Sequence, residues 1–219
     1  LNAPDTGIDF SNDITENEQK NYFNFEYIYN GGGVAIGDIN NDGLPDIYFS
    51  ANEKENKLYL NKGDMNFEDI TAKSGVAAPN GWKTGVNMFD ANNDGWLDIY
   101  VCRSGWKNIN PVLRENLLYI NKKDGTFVEA AKVFGLNDSG FSITSSFFDY
   151  DNDGDQDLYV TNHPYLFNLE LKERLAKRKQ PDEPARDRLY RNEGNNTFTE
   201  VSKSAGIYNY GHGLGLVTA

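Results

Sequence analysis

The chain has 219 residues, 38% hydrophobic and 13% aromatic, enough for a sizeable buried core in one large or two small domains. Its formal net charge of -12 argues against the clustered Lys/Arg face that nucleic acid requires, so no nucleic-acid partner is expected. One cysteine and two histidines exclude an intrachain disulfide and a Cys/His zinc cage, and no apolar run approaches the ~18 to 20 residues that cross a bilayer.

Residues 1–30 are a lead-in whose first ten positions hold neither a basic nor an apolar leader segment. An export signal or lipid anchor is then either removed or never present. Three repeats follow, at 31–82, 83–141 and 142–210, and residues 211–219 read as the first strand of a fourth. Each repeat predicts a small-residue strand, an acidic loop, a second strand (46–50, 98–102, 157–161), a third (57–61, 117–121, 188–192) and a fourth (66–71, 126–130, 197–201). Four short strands rich in β-branched and aromatic residues, with Gly/Asn/Asp turns, predict an all-β fold of four-stranded propeller blades. Three blades and a strand cannot close a ring, so the chain reads as a piece of a larger propeller.

The loops repeat D-x-[DN]-x-D-G-x-x-D. Candidate oxygen ligands are Asp38, Asn40, Asp42, the Leu44 carbonyl and Asp46 in the first, and Asp90, Asn92, Asp94, the Trp96 carbonyl and Asp98 in the second. The third offers Asp149, Asp151, Asp153, Asp155 through its carbonyl, and Asp157. Calcium takes six to eight oxygens, so up to three Ca2+ are expected, one per loop. An EF-hand loop opens the same way but needs a glutamate at position twelve, where Phe49, Val101 and Val160 stand instead. Three Ca2+ would bring the charge from -12 to -6. Asp151, where the other loops have Asn, predicts the tightest site in the third.

These nine-residue loops, preceded by GVAIGD, TGVNMFD and ITSSFFD and followed by [DE]-[IL]-Y-[FV], resemble the FG-GAP or VCBS repeats of integrin-α-type β-propellers. The signatures [KLR]-L-Y-x-N and F-x-[DE]-[IAV] are similar to the cartilage-acidic-protein-like, ASPIC/UnbV-associated branch common in Bacteroidota surface proteins. The resemblance covers about residues 31–219 and extends to the lead-in, where TGIDF looks like a closing or docking strand. It implies a propeller, commonly seven-bladed, with calcium in the first hairpin of several blades, exported and often lipid-anchored at the outer-membrane or cell surface. Membrane association would then come only through such an anchor or a partner.

Residues 163–187 insert between two strands of the third repeat. Leu166, Leu169, Leu171 and Leu175 fall loosely at helical spacing, Lys172, Arg174, Lys177, Arg178 and Lys179 make it the basic stretch of an acidic chain, and Pro181 and Pro184 end it. It reads as a solvated helix or as a protruding element that meets a partner or anionic ligand. No H-E-x-x-H, G-x-S-x-G or phosphate loop is present, Cys102 reads as an apolar filler, and His163 and His212 read as structural. The expectation is a non-enzymatic binding or assembly module for a glycan or protein, possible as a subunit of an outer-membrane complex. The alternative is part of a calcium-dependent glycan-active enzyme with its catalytic residues elsewhere. Trp82, Trp96 and Trp106 would support a sugar platform if they share one face.

Overall fold

A computed structural model describes residues 3–106, 108–164, 169–179 and 183–216, with the side chains at 3, 4, 174 and 177–179 left aside. The first repeat forms β1 (Val34–Gly37), β2 (Asp46–Phe49), β3 (Lys57–Asn61) and β4 (Phe67–Asp69). The second forms β5 (Trp82–Phe89), β6 (Asp98–Ser104), β7 (Leu117–Asn121) and β8 (Phe127–Glu129). The third forms β9 (Ser142–Phe148), β10 (Asp157–Asn162), β11 (Arg188–Asn192) and β12 (Phe198–Glu200). Each repeat is a four-stranded antiparallel meander in which sequence neighbours pair, the construction of a propeller blade.

The blades are held by what lies between them. Tyr48, Leu58 and Val76 of the first repeat pack on Val86, Ile99 and Val101 of the second. Cys102, Leu118, Phe134 and Leu136 of the second pack on Leu158, Val160 and Tyr190 of the third. A middle strand covered on both faces needs no polar alternation, and all seven residues of β6 are buried accordingly. The first strands of the three blades lie side by side. A Cβ at Gly85 would sit 2.7 Å from the Ile143 carbonyl oxygen and one at Gly33 2.7 Å from the Val86 nitrogen, so only glycine permits this approach.

Three expectations need correction. The fourth strands are shorter than read, because Thr71–Ser74 and Ala131–Phe134 form single helical turns, α1 and α2, each ended by a left-handed glycine, Gly75 and Gly135. TGIDF is not a strand: it docks through side chains, with Tyr59 Oη donating to Asp9 Oδ1 at 2.6 Å and Phe10 stacked on Phe49 at 4.7 Å. Residues 211–216 run without strand pairing, although Leu214 and Leu216 line the central cavity beside β1, β5 and β9, where a further inner strand would lie. Residues 217–219, Leu166 and Pro181 lie outside the described residues. The insertion carries a helix at Leu171–Lys179, with Leu171 and Leu175 exposed.

Candidate metal centres

Each acidic loop is the hairpin between the first and second strands of a blade. Two left-handed residues make its sharp reversal: Asn41, Asn93 and Asn152 at φ 56, 55 and 62°, and Gly43, Gly95 and Gly154 at φ 85, 84 and 97°. Nothing surrounds a Cβ at those glycines, so the backbone angle alone demands them. Asparagine tolerates the other position because its short polar side chain suits this region.

The aspartates are set by the backbone. Asp38 accepts from the Asp42 and Gly43 amides at 3.1 and 2.7 Å, Asp90 from Asp94 and Gly95 at 3.0 and 2.7 Å, and Asp149 from Asp153 and Gly154 at 3.2 and 3.0 Å. The fifth-position aspartates close Asx turns on Leu44, Trp96 and Asp155 at 2.9, 3.0 and 3.1 Å. The ninth-position aspartates, Asp46, Asp98 and Asp157, are buried. One oxygen of each accepts from the second loop residue (Ile39, Ala91, Tyr150) at 2.7 to 2.9 Å, and the other from Asn61, Asn121 or Asn192 at 2.8 Å. A carboxylate oxygen has two lone pairs, so one amide bond leaves each of these atoms further acceptor capacity.

The third residue separates the loops. Asn40 and Asn92 donate to Asp42 and Asp94 at 2.9 and 3.1 Å, tying down those charges. Asp151 cannot donate. Asp149, Asp151 and Asp153 bring carboxylate oxygens within 4.8 Å of one another, all exposed. Beside them Asp155 is buried and its Oδ1 has no hydrogen-bond partner. Burial, then Asp153 and Asp157, pushes the Asp155 carboxyl up to about 6, and burial pushes Asp98 up to about 7 despite its two amide bonds. An all-oxygen set of crowded carboxylates with an orphaned buried oxygen fits a hard divalent cation.

Sequence reasoning missed the asparagines that end the third strands. Besides their amide bonds to the ninth aspartate, their side chains donate to the loop carbonyls of Pro45, Leu97 and Gln156 at 2.9, 3.1 and 3.3 Å. The recurring L-Y-x-N was their signal. The tryptophans do not share one face: Trp82 and Trp106 meet at 6.5 Å near the opposite end of the blades, while Trp96 is in the second acidic loop. Cys102 is buried, its thiol pushed up to about 12, and His163 is buried beside Ser104.

Blades of this topology with acidic first hairpins define a repeat propeller class, and the FG-GAP-like repeat family matches residues 38–101 and 110–160. The chain belongs to that family. It is similar to cartilage acidic protein 1 of Xenopus tropicalis, at 29% identity over 138 residues, which are 63% of this chain and 20% of that protein. It is likewise similar to cartilage acidic protein 1 of Homo sapiens, at 39% identity over 72 residues, 32% of this chain and 11% of that protein. The chain thus spans a fifth or less of the curated relatives it matches. No helix among the described residues is long and apolar enough to cross a membrane.

Proposed function

We propose that this chain is part of a calcium-stabilised β-propeller that serves at the outside of the cell as a binding or assembly module for a glycan or protein. The observation that carries the reading is the common frame of the three hairpins, in which backbone amides hold the first, fifth and ninth aspartates alike. Asp38, Asn40, Asp42, Asp46 and their counterparts would hold one Ca2+ per loop, with the carbonyls of Leu44, Trp96 and Asp155 as further ligands. The ion would supply charge compensation and a bridge across the hairpin, and no chemistry. An outer-membrane lipoprotein context belongs to the same proposal.

The magnitude favours a structural ion. At a Kd of ~10 μM, about 1 mM calcium would stabilise the fold by about 2.7 kcal/mol per site. The test is thermal unfolding with calcium against excess chelator, together with metal analysis of the purified chain. A large calcium-dependent rise in Tm with about one calcium per acidic loop is expected. No shift and no bound metal would reduce the loops to turns, and cleavage of a glycan by the full-length protein would overturn the binding-module reading.

A further inference from the structure

At the end of the blades opposite the acidic loops, a cavity of about 210 Å3 opens on the seam between the first and second blades. The β2–β3 connection, the linker into β5, the β6–β7 connection and the lead-in all contribute to it. Trp106, half-buried, stands edge-to-face against the buried Trp82 at 6.5 Å, and Ile109 and Leu113 complete an apolar wall. Lys20 and Glu53 form an ion pair at the rim, where the Thr15 amide also donates to Glu53 Oε1 at 3.3 Å.

The pocket is built rather than left over. Gly81 has φ +81°, and a Cβ there would lie 2.4 Å from the Leu113 carbonyl oxygen. Gly105 has φ +140°, and a Cβ would press Ile109 Cδ1 at 3.0 Å. Two glycines thus let the walls close on each other, and the Ile109 amide donates back to the Trp106 carbonyl at 3.1 Å to fix the turn that presents the indole. Asn52, buried beneath, binds the Gly31 and Lys83 carbonyls at 2.9 and 2.8 Å and so anchors the floor.

We propose that this pocket binds one neutral pyranose unit of a glycan, with the Trp106 indole against the C–H face of the sugar and Lys20 and Glu53 bonding its hydroxyls. This rests on the reading of the chain as a binding module and names its ligand class and site. The volume lies below the ~300 to 1,000 Å3 that suits a drug-sized ligand, a scale that fits a single ring. An ion pair offers donors and acceptors with no net charge, which suits a polyhydroxyl ligand and neither an anion nor a cation. An aromatic wall with a polar rim is the usual way to hold a group with one apolar and one wet side. A protein segment would need a wider contact than one pocket of this size.

The experiment screens the calcium-loaded chain on an array of neutral oligosaccharides and titrates hits by tryptophan fluorescence. At least one hit, with a Kd of about millimolar for a single sugar unit, is expected, with a tenfold or greater loss in Trp106→Ala, a smaller loss in Glu53→Gln and none in Val133→Ala on the exposed α2 face. Glu53→Gln keeps the test decisive where Trp106→Ala fails to fold, as its calcium-dependent melting shows. No hit, or affinity untouched by both pocket variants, overturns the assignment, as does a protein ligand that loses binding in Trp106→Ala while no glycan binds. Calcium stabilisation of Trp106→Ala as large as that of the unaltered chain would leave the metal reading standing whatever the sugar result.

Discussion

Where β1 turns into β2, β5 into β6 and β9 into β10, the three blades repeat one bonding scheme at the first, fifth and ninth aspartates. At the opposite end, where the second strand leads to the third, they share a single clamp. There the side chains of Asn56, Asn116 and Asp187 accept the amides of Ala51, Arg103 and Asn162 at 3.0, 2.7 and 2.8 Å. Everything between clamp and strand differs: a short turn in the first blade, the Trp106 turn and a 3-10 helix in the second, and the basic helix in the third. The hairpins are fixed by bonds between neighbours in sequence, so the same residues give the same shape. One clamp suffices to close the other connections, which leaves their contents free to vary and to carry recognition.

The comparison breaks first at Asp98. Asp98→Ala would orphan two donors, the Ala91 and Asn121 amides, and should cost about 2–6 kcal/mol. Urea unfolding in chelator would read this without any contribution from calcium. An unchanged midpoint would show that the shared scheme does not hold the hairpin.

At the other end the expected sensitivity is to protons. His163 is buried among Phe25, Tyr27 and Phe141, and burial pushes it down to about 3. The folded state therefore holds the neutral ring, and its stability is full above the unfolded pKa near 6.5 and lost as pH falls toward 3. Between pH 6.5 and 5 His163 alone should cost about 2 kcal/mol, at about 1.4 kcal/mol per pH unit, against the opposite contribution of Asp98 and Asp155, whose raised carboxyls take up protons on folding in this range. His163→Gln should flatten that slope in denaturation curves taken across this range; an equal slope would place the titration elsewhere.

The smallest effect tests the difference among the hairpins themselves. Asp151→Asn would give the third loop the amide that Asn40 and Asn92 turn on their neighbours. It should raise stability in chelator by about 1 kcal/mol, the worth of one such bond, while weakening calcium binding. Asn40→Asp should do the reverse. Calorimetry of both variants would decide, and a stronger calcium affinity in Asp151→Asn would contradict the role given to that charge.

The acidic loops and third strands were legible in sequence because their chemistry is local: an aspartate reaches the amide four or five residues on, and a glycine marks the left-handed turn. The fourth strands were overread because Phe67 to Thr71 looks extended until Gly75 is recognised as the stop of a helical turn. The family resemblance suggests a strand at TGIDF, yet Asp9 and Phe10 dock through Tyr59 and Phe49, partners about 40 to 50 positions away that no local pattern reveals. The Trp106 pocket was hidden for the same reason, since Gly81 and Leu113 are far apart in sequence and meet only once the second blade has formed.

The bond from the third strand back to the ninth aspartate spans 15 residues in the first blade, 23 in the second and 35 in the third. Loop closure costs about 0.6 kcal/mol per doubling of length, so the same lock is about 0.7 kcal/mol harder to close in the third blade than in the first. The insertion thus sets an order of assembly, with the first blade the expected seed for folding and the third the last to lock. Pulse-labelled amide exchange should find the Asn61 amide protected before that of Asn192, and simultaneous protection would mean that the blades fold as one unit.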